Sequence, residues 1–305
     1  MTGPDVVGVG ALNLDYLARV VLPPALERGV EHSVGAGTVA DVLGSTDYEV
    51  ALGGSAFTTI HTMARAGSGL RLGYVGVAGW VPPGGLSAVA ALDAYGTDRR
   101  FVFSDDRMGG VCVSVMHEGE RTLLTHAGAN TALADHLDAH FDEVVAYLGS
   151  ARLIHVTSFL DERTPGRLLA VLRAVKATSP QTLISCDPGH VWCVDRTDEI
   201  DGMLRLSDYL LLNRRERREL TDPPAQAVLV VKQPDGIDVN GTFIAQTPLT
   251  ESEIVDATGA GDVFAAGLLL ELAVDPARLV AGCERGLRLA RLKLSGAAGS
   301  PDGRG

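Results

Sequence analysis

The sequence predicts an α/β protein built on a mostly parallel central sheet. Three observations lead there. From Ala151 onward, short apolar runs alternate regularly with helix-like stretches, and strands separated by helices imply parallel βαβ units. Residues 6–12 form an apolar run that ends in small residues, the pattern of a strand buried on both faces. The chain has 305 residues, 46% of them hydrophobic, enough to cover both faces of such a sheet.

Taken in order, the first strand delivers Asn13 and Asp15 at its end, where open α/β sheets hold their ligands. An Asx turn is the competing reading of those two residues. Residues 16–50 read as irregular, with Pro23-Pro24 and several glycines, and a segment that long is usually a flap or lid. A strand over 46–50 leads to Gly53-Gly54, which open a helix that stops at Gly67. Residues 72–79 give another buried strand and 87–95 a helix. Strand-like pieces follow at 101–103, 111–116 and 121–124, the last two joined as a hairpin by the turn 117–120. Strands over 153–156, 182–187 and 207–212 alternate with a helix over 163–177. Asn213 and Glu216 then open a helix crowded with Arg214, Arg215, Arg217 and Arg218, whose simplest reading is a solvated face. A strand over 228–232 ends in Lys232-Gln233-Pro234-Asp235-Gly236. A hairpin turn at 239–242 feeds a strand entering the stretch 254–267, and a last helix runs over 276–294.

The stretch from Ile254 to Gly267 is the most informative. Gly259 and Gly261 allow tight backbone angles, and the turn aims N–H groups at one point where a helix over 261–273 begins. Such an end attracts anions, and Asp262 stands in its mouth as a candidate base. The competing reading is that Asp256 or Asp262 caps the helix.

The run Asp256-Ala257-Thr258-Gly259-Ala260-Gly261-Asp262, followed by Phe264-Ala265-Ala266-Gly267, resembles the C-terminal signature of the ribokinase-like (PfkB) carbohydrate kinases. The likeness extends over nearly the whole chain, from Asn13 to about Leu294. It implies one three-layer α/β/α ribokinase-like domain over 1–305, with a small β-sheet lid built from about 16–50 and 98–125. It further implies a kinase that moves a phosphoryl group from ATP with Mg2+ to a primary hydroxyl of a small sugar, polyol or nucleoside, and it leaves room for a monovalent cation. Asp262 is the implied base, and Gly259, Ala260 and Gly261 form the implied anion hole. Asn13, Asp15, Gly53, Gly54, Thr58 and Asn130 are implied on the acceptor. Lys232, Gly236, Thr258, Gly259, Gly261, Gly282 and Asn213 are implied on the nucleotide, with Asn213 and Glu216 holding the metal through water.

Three departures stand out. Thr58 occupies a position where the family has asparagine. No aspartate follows Gly76. The Lys232–Gly236 loop is one residue short and lacks its first glycine. The last two support a non-catalytic sugar- or nucleoside-binding protein as the alternative, while Thr58 points to an acceptor other than the commonest sugars. A vitamin kinase of the same superfamily is a third reading, one expected to lack the lid.

The net charge of -12 argues against nucleic-acid or anionic-membrane partners. No run approaches the roughly 20 apolar residues of a membrane helix, and the N-terminus lacks a signal core, so a cytoplasmic location is expected. Edge strands of a lid invite a homodimer. Cys112, Cys186, Cys193 and Cys283 form no CxxC pair and read as reduced thiols. His136 and His140 read as helix-surface residues rather than metal ligands.

Overall fold

A computed structural model describes residues 3–18, 28–81, 84–117 and 120–297. The main sheet has nine strands: β1 (Val6–Val9), β5 (Leu72–Trp80), β6 (Asp98–Met108), β9 (Leu153–Thr157), β10 (Leu183–Asp187), β11 (Tyr209–Asn213), β12 (Val228–Gln233), β13 (Gly236–Val239) and β14 (Thr242–Ala245). Their order is β14-β13-β12-β11-β10-β9-β1-β5-β6. Every pair from β6 to β12 is parallel, and the β12-β13-β14 edge is antiparallel.

Period-two alternation divides the core between the two faces. Val7, Val9, Ile154, Val156, Leu210 and Leu212 point to one side. There they meet α4 (Leu133–Ala139), α5 (Phe141–Gly149), α6 (Thr164–Thr178), α7 (Gly189–Val194) and α8 (Asp198–Leu206), with the short α9 (Arg214–Glu219) beside α7. Val6, Tyr74, Leu153, Leu211 and Val230 point to the other side. They meet α2 (Ser55–Arg65), α3 (Ala88–Ala94), α10 (Ala260–Leu272) and α11 (Leu279–Leu294). Helix α10 is apolar over nearly its whole surface because it lies between the sheet and α11.

A second sheet stands over one end of the first, ordered β3 (Glu31–Ser33), β8 (Glu120–His126), β7 (Gly110–His117), β2 (Asn13–Ala18) and β4 (Tyr48–Gly53). One face carries Val111, Val113, Val115 and Leu124, which α1 (Ala36–Leu43) covers with Val39 and Val42. The presence of this sheet separates the molecule from the lidless reading.

Several sequence expectations change. Residues 16–50 are not simply irregular: they hold the second half of β2, then β3, α1 and the start of β4, because Val39 and Val42 give that stretch an apolar side to bury. Residues 19–27, with Pro23-Pro24, lie outside the described residues, as does the 118–119 turn. The stretch 98–108 is not part of the lid. Phe101 and Phe103 pack against the main core, and β6 pairs with β5 as that sheet's edge. The first strand ends at Val9, and Asn13 and Asp15 begin β2 instead of ending β1. No strand among the described residues enters the 254–267 stretch. After β14 the chain passes through an exposed 3-10 turn at Glu251–Glu253, and Val255 donates its N–H to the Leu294 carbonyl at 2.8 Å rather than to a sheet.

Candidate active site

The site forms where the strand order reverses. From β1 the chain proceeds to β5 on one side, while β9 leads to β10 on the other, so the connections leaving β1 and β9 diverge and open a crevice at their carboxyl ends. A cavity of about 280 Å³ occupies that crevice, roofed by the second sheet. Its walls bring together Asn13, Asp15, Gly54, Thr58, Asn130, Thr258, Gly259 and Asp262, residues that come from both ends of the sequence.

On the roof side, local packing explains the glycine pair. A Cβ on Gly53 would lie 2.0 Å from Asp15 Oδ1, and one on Gly54 would lie 2.1 Å from the Ala11 carbonyl. Gly54 also has φ of 100°, which side-chain-bearing residues rarely adopt. The pair thus makes room for the Asp15 carboxylate and sets the start of α2. Asn130 is 3% exposed and fully engaged. Its Oδ1 accepts from the Leu12 N–H at 2.9 Å, and its Nδ2 donates to Asn13 Oδ1 and the Ala127 carbonyl, both at 2.9 Å. Its amide therefore aims Asn13 instead of offering atoms of its own.

On the floor side, Gly259 adopts the left-handed conformation (φ 70°) and starts α10, with Asp262 in the first turn. Neither aspartate caps α10, whose N-cap Gly259 receives no side-chain bond; the Asp256 Oδ1 instead accepts the Thr258 N–H at 2.8 Å and shapes the turn before the helix. The Ala260 N–H is drawn back to the Ala257 carbonyl at 3.3 Å, which turns it away from the anion-hole role expected of it. The Thr59 hydroxyl donates to the Asp262 carbonyl at 3.2 Å and ties α2 to α10. The Thr58 methyl lies 3.4 Å from where a Cβ on Gly259 would sit, so this position packs against the turn.

Behind the turn is a buried charge cluster that sequence reasoning saw only in part. The Lys232 ammonium donates to Asp187 Oδ2 at 2.6 Å and lies 3.3 Å from where a Cβ on Gly261 would be. Burial opposes its charge, but Asp187, Glu216 and Asp262 together raise its pKa, so it stays an ammonium. Glu216 forms a capping box with Asn213, accepting the Asn213 N–H at 2.7 Å. Burial, and then the charge of Asp187, push its carboxyl up to about 7. His155 is held neutral, its pKa lowered to about 4 by burial. Asp187 was legible only as a strand end. Lys293, which lines the cavity and pairs with Asp256, had no signal because it is far along the chain on the last helix.

Other expected residues lie elsewhere. Gly236 begins β13 in a two-residue hairpin turn, where a Cβ would meet the Ile244 carbonyl at 2.2 Å. Gly282 packs against Leu268 of α10. Both glycines serve packing and neither lines the cavity. The trimmed 232–236 loop is short because β12 and β13 pair up to Gln233 and Gly236. Arg214 bonds Gln233 at 2.7 Å, and Arg215 donates to the Gly29 carbonyl, so the arginine face is partly tied down. His136 and His140 stack on Phe103. Among the described residues no group of three or more His, Cys, Asp or Glu gathers to hold a metal directly, and no helix is long and apolar enough to cross a membrane. The four cysteines are buried and none is in a disulfide.

Comparison with known proteins agrees with this fold. The family model for pfkB family carbohydrate kinases matches residues 40–300. An uncharacterized sugar kinase from Archaeoglobus fulgidus is 26% identical over 218 residues, covering 66% of this chain and 82% of that protein. Adenosine kinase from Schistosoma mansoni in complex with 2-fluoroadenosine superposes with a TM-score of 0.81 at 16% identity, over 98% of both chains. A probable sugar kinase from Rhizobium etli gives 0.79 at 21% identity, again over 98% of both chains. At such identities the structural likeness speaks for the fold.

Proposed function

Because the chain belongs to the pfkB family of carbohydrate kinases, phosphotransferases that act on hydroxyl groups, we propose that it transfers the γ-phosphoryl group of ATP to a primary hydroxyl of a small sugar, polyol or nucleoside, with Asp262 as general base. The observation that carries this reading is the shared cavity: Asp15 on one wall and Asp262 with the Gly259 turn on the other.

In this reading Asn13 and Asp15 accept and orient the acceptor's hydroxyls, with Gly53 and Gly54 giving them room and Asn130 fixing Asn13. Asp262 takes the proton as the hydroxyl attacks in line. The N–H groups of Gly259 and Gly261, at the positive end of α10, meet the charge on the transferring group, and the Lys232 ammonium reinforces them from behind. Phosphoryl transfer depends on such positioning and charge stabilisation more than on covalent chemistry. Thr258 borders the phosphate end of the nucleotide. Gly236 and Gly282 support that side through packing rather than contact.

The residues present fit a hydrated divalent cation. Asp187 and Glu216 share the single Lys232 ammonium, so ionisation of Glu216 leaves the cluster with excess negative charge for a cation to offset. Glu216 and Asn213 would hold Mg2+ through water, as Mg2+ prefers. Bound Mg2+ supplies neutralisation of phosphate charge. The reading carries with it a cytoplasmic location, where MgATP is abundant. A homodimer through the second sheet fits its β4 edge, where Tyr48 and Val50 are exposed.

The test is MgATP-dependent ADP release across a panel of adenosine, other nucleosides, pentoses, hexoses and polyols. Turnover with at least one acceptor is expected. Saturable binding of an acceptor with no turnover on any would favour the non-catalytic binding protein.

A further inference from the structure

We propose that Lys293 is a positioning residue for phosphoryl transfer: through Asp256, its ammonium fixes the turn that carries the anion-hole donors. The proposal rests on the kinase reading above. Lys293 sits in the last turn of α11, lines the cavity and pairs with Asp256 Oδ2. The other oxygen of the same carboxylate accepts the Thr258 N–H at 2.8 Å. One carboxylate thus bridges the end of α11 to the turn, immediately upstream of Gly259.

The surroundings give this clasp its importance. The segment before it is loosely held: the 3-10 turn Glu251–Glu253 is exposed, Ile254 is 40% exposed and Val255 is 73% exposed. Besides the clasp, this entry is tied to α11 by the Val255 N–H to Leu294 carbonyl bond at 2.8 Å and, further upstream, by the exposed Arg291 guanidinium donating to the Thr247 carbonyl at 2.6 Å. Downstream, the turn runs directly into α10. Helices α10 and α11 are locked to each other. A Cβ on Gly267 would lie 2.5 Å from Gly286 Cα, and Glu271 of α10 pairs with Arg285 at 2.8 Å and with Arg278 at 2.7 Å. With Lys293 in place, both ends of the 256–259 turn are therefore anchored to one rigid helix pair. Without it, the bond nearest the turn that holds the upstream end to α11 is the Val255 backbone bond, the Arg291 contact lying back at Thr247.

Charge makes the choice of lysine specific. Asp256 is a carboxylate on the wall that must receive a phosphoryl group. Its partly buried charge is offset by the ammonium, which together with the Thr258 N–H keeps its pKa lowered against the cost of burial. Removing the ammonium both loosens the turn and leaves an uncompensated negative charge facing the incoming phosphate. The acceptor's own contacts, at Asn13 and Asp15, lie on the opposite wall. The effect should therefore fall on the chemical step and spare acceptor binding.

The test compares the wild type with Lys293→Met, Lys293→Arg and Asp256→Asn, using MgATP with the adenosine, pentose and hexose panel. Lys293→Met should lower kcat at least about tenfold while acceptor KM stays within about twofold. Lys293→Arg should recover most of the loss, and added methylammonium should restore part of the Lys293→Met activity while leaving the wild type unchanged. Asp256→Asn should reproduce the kcat loss, which keeps the test decisive if the methionine variant folds poorly. An unchanged kcat in both Lys293→Met and Asp256→Asn, or a rise in acceptor KM alone, overturns the proposal. If the wild type turns over nothing in the panel, the kinase reading fails, and amide hydrogen exchange then decides the clasp. Faster exchange across 255–262 in Lys293→Met with the α10 interior unaltered supports it, and unaltered exchange across 255–262 refutes it.

Discussion

Glu216 offers a quantitative probe of the buried cluster behind the anion hole. It is 6% exposed, beside Asp187, with the Lys232 ammonium as the compensating charge. Burial and then Asp187 raise its carboxyl from 4.5 to about 7. The folded protein therefore binds this proton more tightly than the unfolded chain does. The resulting stability is complete below the unfolded value of 4.5 and is lost as pH rises through about 7. A tenfold difference in proton affinity is worth about 1.4 kcal/mol, so roughly 2.5 kcal/mol of the contribution present near pH 5 should be gone near pH 8. Glu216→Gln keeps an oxygen to accept the Asn213 N–H and removes the charge. Urea unfolding near both pH values, with divalent ions chelated, should show the variant's pH dependence reduced by about 2.5 kcal/mol, leaving it the more stable protein near pH 8. Equal pH dependence in the two proteins would mean that Glu216 ionises normally in the folded state and that the cluster's charge balance is not as described.

Lys232→Met should strand Asp187 and Glu216 without their counter-charge and cost about 3–5 kcal/mol in chemical denaturation, the usual result of breaking a buried pair from one side; a loss under about 1 kcal/mol would contradict the pairing. Gly53→Ala places a methyl group on the Asp15 carboxylate, so acceptor KM should rise at least about tenfold with the melting temperature little changed; an unaltered KM would remove Asp15 from the acceptor.

Much of this architecture was legible because its signals are local. The apolar strands at β1, β9 and β10 and the glycine turn at 259–261 each declare themselves within a few residues. The hairpin between β7 and β8 was equally plain. What escaped depends on distance. Phe101 and Phe103 read as lid strand until packing against the main core placed them at its edge. Val39 and Val42 looked like loop residues because the face they cover, at Val111 and Val113, is remote in sequence. At the site, Asp262, Gly259 and Asp15 were found from their motifs and do meet in one cavity. Lys293 and Asp187 were not, since ion pairs such as Lys293–Asp256 and Lys232–Asp187 leave no periodic trace. Gly236 and Gly282 were expected to touch a nucleotide, yet the structure needs them for close backbone packing at Ile244 and Leu268. A motif marks where glycine is required, and only the surroundings say whether a ligand or a neighbouring chain segment requires it.

The central claim is that the Asp262 carboxylate takes the acceptor's proton beside the glycine donors. Rapid-quench transfer of γ-labelled phosphate from MgATP, run on the wild type and Asp262→Asn with the acceptor at saturation, tests it most directly. The transfer rate should fall at least about a hundredfold while acceptor affinity holds; a rate within a few fold of the wild type would take Asp262 out of the base's role.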